Sequence, residues 1–176
     1  MLKKLTIIAI ALILVIPVIG NAKDLTGRFS LGYFDSDAPV GFRYWVNDKI
    51  GLDLGLGFES VDLGEENGTS FWVEAGVPYV VYPTDRANFF IRPGVVFASL
   101  DNRVYGSGPL DEKWTVFTIL LTPGAEVFFG DHFSLQAAHG FALRITSPPD
   151  EISDESSTDF SSIAASVTTI GFHFYF

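Results

Sequence analysis

Eight charged side chains, scattered singly along apolar, glycine-rich segments, are the residues whose types could do chemistry. They are Arg28, Arg43, Asp53, Glu59, Glu74, Arg92, Glu126 and Arg144. Four are cations and four are anions. Their surroundings alternate. Around Asp53 and Glu59 the chain reads Ile50-Gly51-Leu52-Asp53-Leu54-Gly55-Leu56-Gly57-Phe58-Glu59, so an extended strand puts Ile50, Leu52, Leu54, Leu56 and Phe58 on one face and the glycines and acids on the other. The chemistry open to such a set is mutual neutralisation, since charges enclosed together persist when they are paired.

Nucleophilic or metal chemistry has fewer candidates. There is no cysteine, which removes disulfides, thiolate metal sites and a lipid-attachment thiol. Three histidines are present. His132 falls in or beside a tight turn. His173 falls on the polar face of the last strand, where it reads as a member of a polar network. His139 lies in phase with Phe133, Leu135, Ala137, Phe141 and Leu143, on the apolar face. A bulge or an interfacial position accounts for it. A catalytic reading needs a serine and an acid arranged around it, and position 141 is Phe. The run from Asp150 to Asp159 could collect divalent cations but lacks the EF-hand spacing. With a net charge of −10 and no basic patch, nucleic acid is not an expected partner. No Gly-rich phosphate loop is present, because the glycines alternate along strands. No metal, cofactor or enzymatic activity is expected.

These charges must be positioned by strands. Alternation at period two predicts eight of them, over about 26–34, 39–47, 49–60, 69–82, 88–100, 113–129, 132–146 and 160–176. The connections alternate between short (47–49, 83–87, 130–131) and mostly longer (35–38, 61–68, 101–112, 147–159). The longer set holds thirteen acids and one base, Arg103. The face opposite the eight charges carries no charged residue at the strand centres. Shifting every strand by one residue would reverse the two faces. Trp45, Trp72 and Tyr82 fall on the charged face. Phe89, Phe90, Phe128, Phe129, Phe133, Phe174 and Phe176 are expected at one rim. Tyr33, Phe58, Phe71, Phe97, Tyr105, Trp114 and Phe160 are expected at the other.

Both ends of the chain bear on its destination. Lys3 and Lys4 precede an apolar run from Leu5 to Ile19, and Gly20-Asn21-Ala22 supplies small residues for cleavage. Residues 1–22 therefore read as a cleaved secretory signal peptide and 23–176 as one domain. The last eight residues, Thr169-Ile170-Gly171-Phe172-His173-Phe174-Tyr175-Phe176, put three phenylalanines on one face. Thr169, Gly171, Phe174 and Phe176 resemble the sorting signal that the barrel-assembly machinery reads on the last strand of bacterial outer-membrane barrels. The expected fold is all-β, an eight-stranded antiparallel up-and-down transmembrane barrel.

With Arg43-Tyr44-Trp45-Val46-Asn47-Asp48-Lys49-Ile50-Gly51-Leu52-Asp53 and Thr122-Pro123-Gly124-Ala125-Glu126, the chain resembles the small eight-stranded outer-membrane barrel family of the OmpA-barrel, OmpX and opacity type. The resemblance implies an outer-membrane monomer in contact with lipid and lipopolysaccharide, and with the assembly machinery during biogenesis. Its implied role is non-enzymatic, in envelope structure or surface interaction through acidic outer loops, with the lumen plugged by paired charges. Three other readings predict different observables. A narrow solute channel would change conductance when a lumen charge is altered. A lipocalin-like periplasmic barrel would extract without detergent. A lipid A-modifying enzyme, similar in size to the outer-membrane deacylases, would depend on His139.

Overall fold

The computed structural model describes residues 23–62, 67–105, 112–150, 152–153, 155–162 and 168–176. The expected signal peptide, 1–22, lies outside them. The strands are β1 Phe29–Tyr33, β2 Val40–Trp45, β3 Gly51–Asp62, β4 Asn67–Gly76, β5 Tyr79–Pro83, β6 Ala87–Asp101, β7 Lys113–Phe129, β8 Phe133–His139, β9 Phe141–Ser147, β10 Ser157–Ser161 and β11 Thr168–Tyr175. A short helix, α1 Asn102–Tyr105, follows β6. Among the described residues no helix is long and apolar enough to cross a membrane.

The strands form eight staves. β4 and β5 make one stave, both pairing with β6; β8 and β9 make another, both pairing with β7; β10 and β11 pair with β9 and β8 in turn. Pairing is antiparallel throughout. β6 pairs with β7, and β1 with β11, so the sheet closes into a barrel. Local chemistry explains two of the interruptions. The first falls at Val77-Pro78, where proline has no N–H for the ladder. The second falls at Gly140, where a Cβ would lie 2.1 Å from the Leu121 carbonyl oxygen of the neighbouring strand. The β7–β8 turn uses Gly130 at φ 81°, a conformation that favours glycine.

Alternation then sorts the side chains. Leu52, Leu54, Leu56 and Phe58 of β3 are exposed on the outer surface, whereas Asp53 is buried in the lumen. Ile119, Leu121, Leu135, Phe141, Phe172 and Phe174 continue the outer apolar surface around the barrel.

Several expectations need correction. Residues 26–28 form a turn, with Gly27 at φ 75°, and not the start of the first strand. The last stave begins at Ser157, inside the segment read as a loop. Tyr82 does not face the lumen. A bulge between Val80 and Tyr82 shifts the register, and Tyr82 pairs with outward-facing Phe89, ring centroids 5.7 Å apart. Phe90 and Phe128, expected at a rim, are buried in the lumen. Trp114 also turns inward, where its indole N–H donates to Asn102 Oδ1 at 2.8 Å. Side-chain placement of Tyr105 lies outside the described residues.

Candidate functional site

Five of the eight charged residues meet in one connected cluster in the lumen. β2 contributes Arg43 and β3 contributes Asp53, directly opposite each other in register. Arg43 grips Asp53 through two bonds, Nε to Oδ1 at 2.6 Å and Nη2 to Oδ2 at 2.8 Å. Its remaining arm, Nη1, donates to Glu126 Oε2 on β7 at 2.9 Å. Arg92 of β6 donates from Nε to Asp53 Oδ2 at 2.6 Å and pairs through Nη1 with Glu74 of β4, also at 2.6 Å. The chain of pairs therefore runs Glu126–Arg43–Asp53–Arg92–Glu74 across the barrel. Arg43, Asp53 and Glu126 have wholly buried side chains. Planar, forked guanidiniums suit this role because each can engage two carboxylates at once.

Neutral donors complete the cluster. Glu126 Oε1 accepts from Ser134 Oγ at 2.5 Å and from the Tyr175 hydroxyl at 2.7 Å. The Tyr175 hydroxyl in turn accepts from the Trp45 indole N–H at 3.0 Å. His173 lies beside them, fully buried, with Nδ1 3.3 Å from Ser30 Oγ.

Below this polar layer, Leu25, Trp45, Val80, Phe128 and Tyr175 form an apolar layer at the end of the barrel that carries the short turns. Leu25 comes from the segment before β1, which folds across this mouth. Lys23 Nζ bonds the Gly130 carbonyl and pairs with Asp131 at 3.3 Å. Arg28 belongs to this end and not to the cluster, standing 5.7 Å from the Tyr175 ring centroid.

Above the polar layer, the connection between β1 and β2 turns into the lumen. Phe34 and Ala38 are both buried. The Phe34 ring lies between the guanidiniums of Arg43 and Arg92, at 5.7 and 5.8 Å, and meets the edge of His173 at 5.1 Å. Glycines make the space. A Cβ on Gly41 would lie 2.4 Å from the Phe34 ring, and one on Gly55 would lie 2.9 Å from the Ala38 Cβ. Sequence reading assigned residues 35–38 to an outer loop. The signal that could have found the inward turn was the facing pair Gly41 and Gly55, which leaves a gap in one wall of the lumen.

Beyond this loop, at the outer mouth, the lumen opens into a cavity of about 380 Å3. Arg144 and Glu74 line it, together with Asp35, Asp37, Trp72 and Trp114. Glu59 stands in a smaller recess beside Asp37 and Trp72. Arg28, Glu59 and Arg144 thus share the lumen face but not the central cluster.

The remaining sequence candidates are dispersed. Thr169 and Gly171 face inward on β11, whereas Phe174 and Phe176 are exposed outside. His132 Nδ1 lies 2.8 Å from the Tyr175 carbonyl at the short-turn end. His139 does face outward, and its Nδ1 lies 2.7 Å from the Thr168 hydroxyl on the paired strand. The acids are not uniformly free loop residues. Asp101 is buried at the end of β6, where it accepts from the Thr69 N–H at 3.0 Å and from Arg103 Nε at 2.9 Å. The Arg103 guanidinium holds the Asp101 carboxyl well below the usual carboxylate range. Glu65, Glu66, Asp111, Glu151 and Asp154 lie outside the described residues. Among the described residues there is no group of three or more His, Asp or Glu side chains that could hold a metal ion.

No family model matches the chain, and no curated protein does. Among solved structures the chain is similar to the N-terminal β-barrel domain of Pseudomonas aeruginosa OprF, at 14% identity and a TM-score of 0.47, over 88% of this chain and 100% of that one.

Proposed function

We propose that the protein is an integral barrel of the bacterial outer membrane, without enzymatic activity, that serves envelope structure or surface interaction through its acidic loops. The observation that carries this reading is the inverted sorting of side chains. Aliphatic and aromatic residues cover the outside of the closed barrel, and the ion pairs are enclosed within it. In water this arrangement would expose its apolar surface and bury its charges. In lipid it is the arrangement that satisfies both, since a basic residue facing the midplane costs about 2–4 kcal/mol. The short turns and both termini then lie on the periplasmic side, and the segments holding most of the acids face outward.

The same reading makes the central cluster a plug. An eight-stranded barrel has an interior about wide enough for side chains to fill. Here the guanidiniums, the Phe34 ring and the layer around Trp45 occupy it. The contacts expected of such a protein are lipid and lipopolysaccharide around the barrel, and the assembly machinery at the C-terminal strand.

Gel migration of protein extracted from outer membranes, boiled and unboiled, tests the proposal. A boiling-dependent shift in outer-membrane fractions is the expected result. Recovery in periplasmic extract without detergent, with no shift, would overturn it. Glu126→Ala in planar bilayers tests the plug: lower stability without conductance is expected, and ion-selective current would replace the plug with a conduit.

A further inference from the structure

We propose that the cavity at the outer mouth is a binding site for a small organic cation, an amine or quaternary ammonium carried on an apolar body. Its position within the molecule does not depend on what surrounds the barrel, so it is independent of the membrane assignment. Its size falls at the lower end of the range of small-molecule pockets, about 300–1,000 Å3.

Three features set the ligand chemistry. The first is a charge imbalance. The eight lumen charges alone are balanced, but the inward turn after β1 brings Asp35 and Asp37 to the cavity. With these two, the named set becomes six carboxylates and four guanidiniums, and both added acids stand at the cavity. The second is the way these acids crowd. Asp35, Asp37 and Glu74 line the same cavity, and of the three Glu74 already engages Arg92 at 2.6 Å. Carboxylates gathered in one partly enclosed space favour a proton or a cation among them. Burial and the neighbouring Asp35 raise the Asp37 carboxyl above its ordinary value, and Arg144 offsets this only in part. The third feature is the wall. Val96, Ala98, Leu100 and Val116 make one side apolar. Trp72 and Trp114 present indoles to the same space, and Trp114 is held in orientation by Asn102. Indole faces are the strongest aromatic partners for ammonium groups. Apolar walls, two indoles and surplus carboxylates suit an ammonium and disfavour an anion.

Tryptophan makes the test direct, because the chain has three and they are separated. Trp72 and Trp114 line the cavity, and Trp45 is buried in the layer at the opposite end. The probe is benzyltrimethylammonium, titrated into 15N-labelled protein extracted in a non-ionic maltoside detergent, with indole N–H resonances as the readout. Saturable shifts of Trp72 and Trp114, with Trp45 unmoved, are expected. Phenylacetate should produce none. Asp37→Asn should weaken binding about ten-fold, the scale of one charge in a partly enclosed site, and Asp35→Asn/Asp37→Asn more. Because Asp35 also caps its own turn by accepting from the Asp37 and Ala38 N–H groups, the single Asp37 variant and the salt dependence of affinity serve as readings free of folding effects. No saturable shift, equal response to phenylacetate, shifts of all three indoles together, or unchanged affinity in Asp37→Asn would each overturn the proposal.

Discussion

The two halves of the lumen are built from the same alternating strands and have opposite packing. In the half towards the short turns, each carboxylate oxygen of Asp53 and Glu126 has at least one donor, and rings close over the guanidinium of Arg43 at 5.6 Å from Trp45 and 6.0 Å from Phe90. In the half towards the longer loops, side chains recede from one another and leave an open cavity. The difference follows from what sits opposite what. In the closed half, glycines face the largest side chains: a Cβ on Gly124 would lie 2.7 Å from the Phe90 ring, and one on Gly76 would lie 2.4 Å from the Arg92 guanidinium. In the open half, small side chains, Val96, Ala98 and Val116, line the cavity beside the indoles of Trp72 and Trp114. Ion pairing alone therefore does not close a barrel. Complementary volumes around the pairs do.

The contrast makes ordered predictions. Arg43→Ala should have the largest effect, because it takes a guanidinium from two buried carboxylates at once, leaving Asp53 with Arg92 and Glu126 with two hydroxyl donors. Removing one partner of a buried pair costs about 3–5 kcal/mol. Denaturant midpoints of the folded protein should fall accordingly, and a loss below about 1 kcal/mol would mean that water reaches this half. Gly41→Val comes next. It places methyl groups where the Phe34 ring lies, and overpacking of this kind costs about 1–3 kcal/mol. Limited proteolysis should then cut within residues 34–39 faster than in the unaltered protein, where Phe34 and Ala38 are buried. Trp114→Phe, in the open half, removes a single hydrogen bond to Asn102 and should cost about 0.5–1.5 kcal/mol by the same midpoints. The smallest effect is expected from acid. The carboxyl of Asp101 is held low in the folded protein, so its stabilisation is fully present above the ordinary aspartate range near pH ~3.9 and drains away as pH falls below it. Arg103→Gln should remove the larger share of that pH-dependent part, the Thr69 and Arg103 N–H donors keeping the rest, read as stability at pH ~3 against pH ~7.

Much of this was legible in the chain. The period-two pattern located all eight staves and assigned Arg43, Asp53, Glu74, Arg92 and Glu126 to one enclosed face, because a register error of one residue would invert every strand together. What was not legible depended on departures from regular alternation. The bulge before Tyr82 reverses one side chain, and nothing in Tyr79-Val80-Val81-Tyr82 announces it. Phe90 and Phe128 occupy inward positions near strand ends, where sequence alone does not distinguish a ring at a lipid interface from a ring filling a lumen. Which guanidinium meets which carboxylate was also out of reach, since Arg43 bridges residues ten and eighty-three positions away. The outer cavity depends on Asp35 and Asp37 entering a space that only the closed barrel defines.

Gly171 has a consequence for how the barrel comes together. The seam between β1 and β11 joins Tyr33 to Phe172, nearly the full length of the described chain apart, so its closure carries the largest loop entropy of any strand pair in the ring. At that joint a Cβ on Gly171 would lie 2.3 Å from the Tyr33 carbonyl oxygen and 2.9 Å from that of Phe34. The backbone that swings Phe34 into the lumen passes directly against the last strand. The seam thus has no room there for even a methyl group, and a bulkier residue at this position would force β1 and β11 apart. A glycine that the sequence offers as one letter of an expected sorting signal is also the clearance at this seam.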